Sequence, residues 1–470
     1  MAAAYVSPFA GTWYPDDPVE LRDLLEARFA ASAERTGPCL PSAGLGFVVP
    51  HAAPVYSGTV AAAVYRSLAA SGVRRVVLLG FSHSRRVRGI VMPAIQAYRT
   101  PLGDVEVEHS DLFRAVPAAE VSDHSVEVQM PLLRKALPGA RVVPLYVGSL
   151  DGAECVKAAH TLASLIGPET ALVASSDLTH YGKQFHYEPF PLDHRTPGRL
   201  EEMDERVMAA AGSLDSELFM DELEATHSNA CGSGPIRLLL ETLAEAGGEE
   251  LFPARLDYQN SGELTGDYGH AVSYGAWGYF PAGAFLVSEE EQSLLLDSAR
   301  RTLDHLQATG ERRAMPPERG LSGLERRMGV FVTLFQDGKL RGCIGRAEGG
   351  SPLREAVPDL ALAAGLEDPR FTPLARGEAG LRIEISLLTP LKRVRDGGKL
   401  RVNEHGAALE YKDDRGLLLP KVATERGWSR EQFLEALARK AGLDPKVYGK
   451  HGTRLFVFRA QTFGDGIESE

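Results

Sequence analysis

The stretch GFVVPHAAPVYSG, Gly46 to Gly58, sets the reading of the chain. Leu45 to Val49 is a continuous apolar run, as expected of a strand covered on both faces of a sheet. Pro50 stops the run and His51 follows at once. From Ser57 to Gly72 the pattern turns helical. Strand, short turn and helix form the first half of a βαβ unit, with an imidazole in the turn between them.

The same grammar repeats outward. RVVLLG (75–80), RVVPLYVGS (141–149) and ALVASSD (171–177) read as further buried strands, and ECVKAAHTLASLIG (154–167) as a helix between two of them. These predict an α/β domain whose largely parallel sheet carries helices on both faces. The Gly-rich segment 251–280 suggests strands of an antiparallel edge. A Pro/Gly turn leading into an acidic helix start, PAGAFLVSEEEQ (281–292), marks a break. Beyond it come a helical stretch (292–310), a hairpin signal at Asp337-Gly338 within 329–346, and a strand at 381–390. We expect domains at 1–281 and 289–470, the second a separate α+β domain.

Composition narrows the function classes. The 470 residues hold 51 basic and 63 acidic side chains, a net charge of −12, which argues against nucleic acid as a partner. No run approaches the ~18 apolar residues of a membrane helix, so no membrane association is expected. The start, MAAAYVSPFAGTWYPDDP, lacks the basic and apolar segments of a secretory signal. Cys39, Cys155, Cys231 and Cys343 are far apart and form no CxxC. Together these point to a reducing cytoplasm.

Ten of the thirteen histidines precede residue 282, leaving only His305, His405 and His451 after it. Imidazole chemistry therefore belongs to the first domain. Four element ends there carry polar residues: His51; Ser82 and His83; Ser175 to Asp177 with His180 and Tyr181; and His227 with Cys231 before a helix opened around Pro235. In open α/β sheets the ligand crevice lies outside the carboxyl ends of the strands, so these residues would converge. Two imidazoles with a thiolate or carboxylate suit Fe(II), copper or zinc. SDHSVEVQMPLL (122–133) adds His124 and Glu127 on a helical stretch, as acid/base or supporting groups. Plainer readings stand beside this one: His51 as a turn residue, His83 as a helix cap, Asp177 as an N-cap and Cys231 as a packed thiol.

The motifs AGTWYP (10–15), PHAAPVYSG (50–58), LGFSHS (79–84), DHSVEVQMPLL (123–133), SSDLTHYG (175–182) and ACGSGPI (230–236) resemble, in this order, those of the Memo family. That family is similar to class III, LigB-type extradiol dioxygenases, which hold a non-haem iron with two histidines and a carboxylate. The resemblance implies His51, His83 and Cys231 as metal ligands, with Asp177 and His180 beside them. Two departures, Ala53-Pro54 after the first histidine and Phe-Ser-His-Ser in the second motif, bear on the shape of the substrate pocket. LRGCIGR (340–346), EISLLTP (384–390), residues 416–443 and RLFVFRAQTF (454–463) resemble the AMMECR-type domain. Memo-like, AMMECR-like and radical-SAM genes form a recognised bacterial and archaeal set, which implies a radical-SAM protein as a partner.

The resulting expectation is a non-haem iron protein, with copper as the alternative metal and zinc after it. It would carry out dioxygenase-like redox chemistry on a small organic or peptidyl substrate. His180 would be the general acid/base, Asp177 would orient it or bind water, and His124 would assist. Tyr56, Tyr181 and Tyr274 are expected to line the pocket. The rival expectations are a metal-binding or redox-sensing protein without turnover, and a zinc-dependent hydrolase.

Overall fold

The computed structural model describes residues 4–378 and 380–466 and divides after Pro281, with Met1–Pro281 in one unit and Ala282–Glu470 in the other. The first unit opens with β1 (Tyr5–Val6) and α1 (Pro18–Thr36), then β2 (Gly46–Val49) and α2 (Pro54–Ala70). Pro54 takes the first helical position of α2, where no amide is needed. Next come β3 (Arg75–Gly80), β4 (Ile90–Pro93), β5 (Ala97–Thr100), β6 (Gly103–Glu106) and β7 (Arg114–Val116). Two short helices, α3 (His124–Glu127) and α4 (Gln129–Ala136), lead to β8 (Arg141–Val147), α5 (Gly152–Ala163), β9 (Thr170–Ser175) and β10 (His180–Gly182). The unit closes with α6 (Thr196–Gly212), α7 (Ser216–Thr226), α8 (Ser233–Glu245), β11 (Leu251–Asn260), α9 (Ser261–Thr265) and β12 (His270–Pro281).

The main sheet runs β10-β12-β2-β9-β3-β8-β4-β7, with β11 also paired to β12. Its centre, β2, β9, β3 and β8, is parallel, and every residue of β2 and β9 is buried, so both faces are covered. The flanks are not parallel to it. β12 pairs antiparallel with β2, β10 and β11, and β4 pairs antiparallel with β8. The sheet is therefore mixed: its centre is parallel as expected, and β11 and β12 form the antiparallel edge expected of residues 251–280. The apolar runs identify centre strands, but strand direction at the edges depends on connections that those runs do not encode.

This topology positions the site. β2, β9 and β3 are parallel neighbours ending at Val49, Ser175 and Gly80, so the segments that follow leave from one edge of the sheet. α8, preceded by Cys231, packs against β9.

In the second unit α10 (Glu289–Thr309) starts with a Ser288/Glu291 capping box and stops at Gly310 in the left-handed region. β13 (Gly329–Gln336) and β14 (Lys339–Arg346) form the hairpin expected at Asp337-Gly338, where φ is 51° and 74°. Positive φ at both turn residues is the type I′ requirement that favours Asp-Gly. α11 (Leu353–Leu366), β15 (Arg382–Leu388), β16 (Lys392–Val394), β17 (Gly406–Tyr411), β18 (Asp414–Leu418), α12 (Pro420–Arg426), α13 (Arg430–Lys440), β19 (Arg454–Phe458) and β20 (Ala460–Gly464) complete it. Its two four-stranded sheets, β14-β13-β15-β20 and β16-β19-β17-β18, are antiparallel throughout. Among the described residues no helix is long and apolar enough to cross a membrane.

Candidate metal centre

His51 occupies the turn between β2 and α2 and is buried. No side chain of the turn itself caps α2. Asp177, from the loop after β9, reaches across instead: its Oδ1 accepts the His51 amide at 2.8 Å and the Ala52 amide at 3.3 Å. The His51 Nδ1 lies 3.0 Å from the Ser175 hydroxyl, which also accepts the Gln129 side-chain amide at 3.3 Å. With Nδ1 bonded there, Nε2 faces the Cys231 Sγ at 3.2 Å.

The second histidine is held by a carboxylate. Asp123 Oδ1 lies 2.9 Å from His83 Nδ1 and 3.5 Å from His124 Nδ1, and it accepts the Ser125 amide at the start of α3 at 2.9 Å. One side chain thus caps a helix and orients two imidazoles. The His83 and His124 rings are stacked, with centroids 4.1 Å apart and planes 19° apart. Trp13 stacks on His124 at 4.0 Å and 21°, necessarily on the face opposite His83. This gives the AGTWYP motif a physical role: it supplies the outer wall of the histidine stack.

Cys231 is tied to the same loop as Asp177. Its amide donates to the Asp177 carbonyl at 3.3 Å, and the Gly232 amide donates to the Ser176 hydroxyl at 2.9 Å. Gly232 lies so close to the Ser175 carbonyl that a methyl group there would overlap it. The ligand atoms of His51, His83 and Cys231 all lie within 4.8 Å of one another, and those of His83, Asp123 and His124 form a second such group.

The other expected residues fall differently. His180 borders the centre, but its Nδ1 is held at 2.9 Å by the Leu178 carbonyl and not by Asp177. Asp177 anchors the backbone of the His51 turn, and its charge acts on His180 through space. Asn229, two residues before Cys231, clamps the His180 amide and carbonyl at 2.9 and 2.8 Å. Tyr181 is corrected from pocket to core. It alternates with His180 along β10, is fully buried, stacks on Phe190 and donates to the Phe190 carbonyl at 2.8 Å. Tyr274 is also buried, within the electrostatic reach of Asp177, whereas Tyr56 is 44% exposed at the start of α2. Sequence reasoning missed Trp13, Asp123, Gln129 and Asn229. The first three lie inside motifs that were recognised, and Asn229 stands just before one.

Burial and mutual repulsion keep His51 and His124 neutral. Burial, then the charge of His83, lowers the His51 pKa to about 3; burial and His51 lower that of His124 to about 3. Burial works against ionised Asp123, yet the His83 hydrogen bond and the Ser125 amide hold it at about 2. Burial, then Asp177, pushes the Cys231 thiol up. The neutral imidazoles present lone pairs, and the Cys231 proton is the one a bound metal would displace.

Glu127, at the end of α3, is raised by burial from 4.5 to about 7. The folded chain therefore holds an extra proton between these values. The resulting stability is present below pH 4.5 and is lost as pH rises through 7. The shift corresponds to ~3 kcal/mol. His51 and His124 act in the opposite sense: their contribution is present above 6.5 and is lost as pH falls toward 3. Urea unfolding at pH 5 and 7.5 should show Glu127→Gln losing the downward slope; an unchanged slope would refute the assignment to Glu127.

Comparison with known proteins agrees with the two-unit division. Residues 7–277 match the model of the Memo-like protein family, and residues 296–463 match that of AMMECR1. The protein memo-1 homolog of Caenorhabditis elegans is 32% identical over 246 residues, covering 49% of this chain and 69% of that protein. A MEMO1 family protein of Methanopyrus kandleri is 31% identical over 289 residues, covering 57% and 95%. Among solved structures, an uncharacterized protein of Pyrococcus horikoshii shares 34% identity over 38% of this chain and 94% of that one, with a TM-score of 0.37. The chain belongs to the Memo family through its first unit and continues into an AMMECR1 domain.

Proposed function

We propose that the first unit is a non-haem metal-dependent redox protein, a dioxygenase-like oxidoreductase for a small organic or peptidyl substrate, served by the AMMECR1 domain as an accessory. The supporting observation is the donor set: two imidazoles and one thiol within 4.8 Å, with Asp123 and Ser175 beside the Nδ1 atoms of His83 and His51. This set fits iron first, copper second and zinc third. A bound iron or copper supplies a redox-active Lewis acid with open positions for substrate.

The chain's own residues do the remainder. His51, His83 and Cys231 hold the ion. The neutral His124, stacked on His83, takes a proton from a substrate hydroxyl at the open side. His180 is the second proton carrier, and the Trp13 ring keeps water off the outer face of His124. Exposed Tyr56 offers a surface for an aromatic or peptidyl group.

A second reading rests on the Cys231 Sγ lying 3.2 Å from His51 Nε2. An oxidisable sulfur among the ligands suits a metal-binding or redox-sensing protein that acts on a partner such as a radical-SAM enzyme. Anaerobic loading with Fe(II), followed by oxygen and a panel of catechol-type substrates, separates the readings. Ring-opened products support the first. Stoichiometric metal without product supports the second, and turnover with zinc and no oxygen would replace both with hydrolysis. Under the first reading, His124→Ala should retain metal and lose ~10²–10⁴-fold in turnover. Full turnover in that variant would remove His124 from the chemistry.

A further inference from the structure

Three aromatic rings form a column that leads out of the first centre. His83 stacks on His124 with centroids 4.1 Å apart, and His124 stacks on Trp13 at 4.0 Å, the planes inclined by 19° and 21°. Trp13 is half-buried, and Tyr14, with a buried side chain, follows it directly in the chain. The Ser7 hydroxyl is a hydrogen-bond partner of both the Tyr14 phenol and the Glu127 carboxylate. Ionised Glu127 can only accept, so Ser7 donates its one proton there and keeps its lone pairs for the Tyr14 O–H. Burial raises Glu127 to about 7, which suits a carboxylate that takes a proton near neutrality. Neither Tyr14 nor Glu127 takes part in holding the ion.

A wall against His124 needs only a large apolar ring. Indole and phenol are, after the thiol, the side chains that give up an electron most readily, and here the phenol has its own proton acceptor. We propose that His83, His124 and Trp13 conduct single electrons from Tyr14 to an oxidised metal in the first centre, with Ser7 passing the phenol proton to Glu127. The co-reactant is a peroxide. Reducing hydrogen peroxide to two waters takes two electrons and two protons, the protons coming from solvent. Bound Fe(II) supplies one electron and becomes Fe(III), and Tyr14 supplies the other. The Tyr14 O–H bond breaks, its proton ends on Glu127, and a neutral phenoxyl radical remains. The path protects the centre: without the aromatic electron, the oxidisable donor beside the metal is Cys231, which would climb to sulfinic and sulfonic acid.

The path rests on the redox reading of the centre, and one experiment separates their failures. The full chain, loaded with Fe(II) without oxygen, is mixed with hydrogen peroxide and freeze-quenched for electron paramagnetic resonance. The Cys231 peptide is then examined by mass spectrometry. Bound ferric iron should form together with a tyrosyl radical whose hyperfine pattern changes with ring-deuterated tyrosine. Tyr14→Phe should lose the tyrosyl signal. Trp13→Phe, which keeps a ring on His124, should lose it too, and both variants should accumulate sulfinic and sulfonic acid at Cys231. Ferric iron without an aromatic radical, or a tyrosyl radical that persists in either variant, would overturn the path and leave the redox reading standing. Iron that does not stay with the chain, or stays ferrous under peroxide, would overturn both. Should Tyr14→Phe fail to fold, the wild-type spectrum and Trp13→Phe still decide.

Discussion

Replacing Cys231 with alanine is expected to lower the affinity of the first centre for Fe(II) by more than ~100-fold, and combining it with His51→Ala should abolish binding. The floor comes from supporting residues, whose loss alone typically costs ~10–100-fold; a direct ligand should exceed that. The thiol is the only soft donor of the three-residue group, and its proton is the one a metal displaces. The loop should survive the change, because the Cys231 and Gly232 amides bond to the Asp177 carbonyl and the Ser176 hydroxyl through main-chain atoms. Metal content after anaerobic purification, read beside the melting temperature, provides the measurement. Stoichiometric metal in a folded double variant would show that the ion binds elsewhere.

Asp123→Asn is expected to lose ~10–100-fold in metal affinity although Asp123 need not touch the ion. As a carboxylate, it accepts from the His83 Nδ1, from the His83 amide at 2.7 Å and from the Ser125 amide, and it lies 3.5 Å from the His124 Nδ1. An asparagine has one acceptor oxygen and turns an amide toward groups that also donate. His83 or His124 must then rotate or change tautomer, which moves the Nε2 lone pairs. Asparagine remains a good N-cap, so the stability cost should stay near ~1 kcal/mol or below. Titration with Fe(II) or Co(II), alongside urea unfolding, separates the two effects. Wild-type affinity in this variant would mean that the imidazoles are oriented by packing against Trp13 alone.

Much of the architecture was legible because it is encoded locally. The run Gly46–Val49 could only be a covered strand, Pro54 a helix start and Asp337-Gly338 a tight hairpin, since each follows from the conformational limits of a few adjacent residues. The motif order placed His51, His83 and Cys231 together before any distance was known. The antiparallel edge was legible in the Gly-rich segment 251–280, but the antiparallel pairing of β4 with β8 was not. β12, in that segment, joins three partners antiparallel to itself.

By itself, then, the sequence determined two successive domains, the centre strands of the first, and the residue types at the strand ends that can hold a metal. The tertiary structure decided which atoms do what. It turned Tyr181 into the core because neighbours on a strand face opposite sides, and it made Asp177 an anchor because β9 ends beside β2. Asp123 became the neighbour of two imidazoles, and Glu127 was buried with the Ser122 hydroxyl donating to it. Those outcomes join residues up to 180 positions apart, as with His51 and Cys231. No local propensity spans that separation; the order of strands in the sheet does.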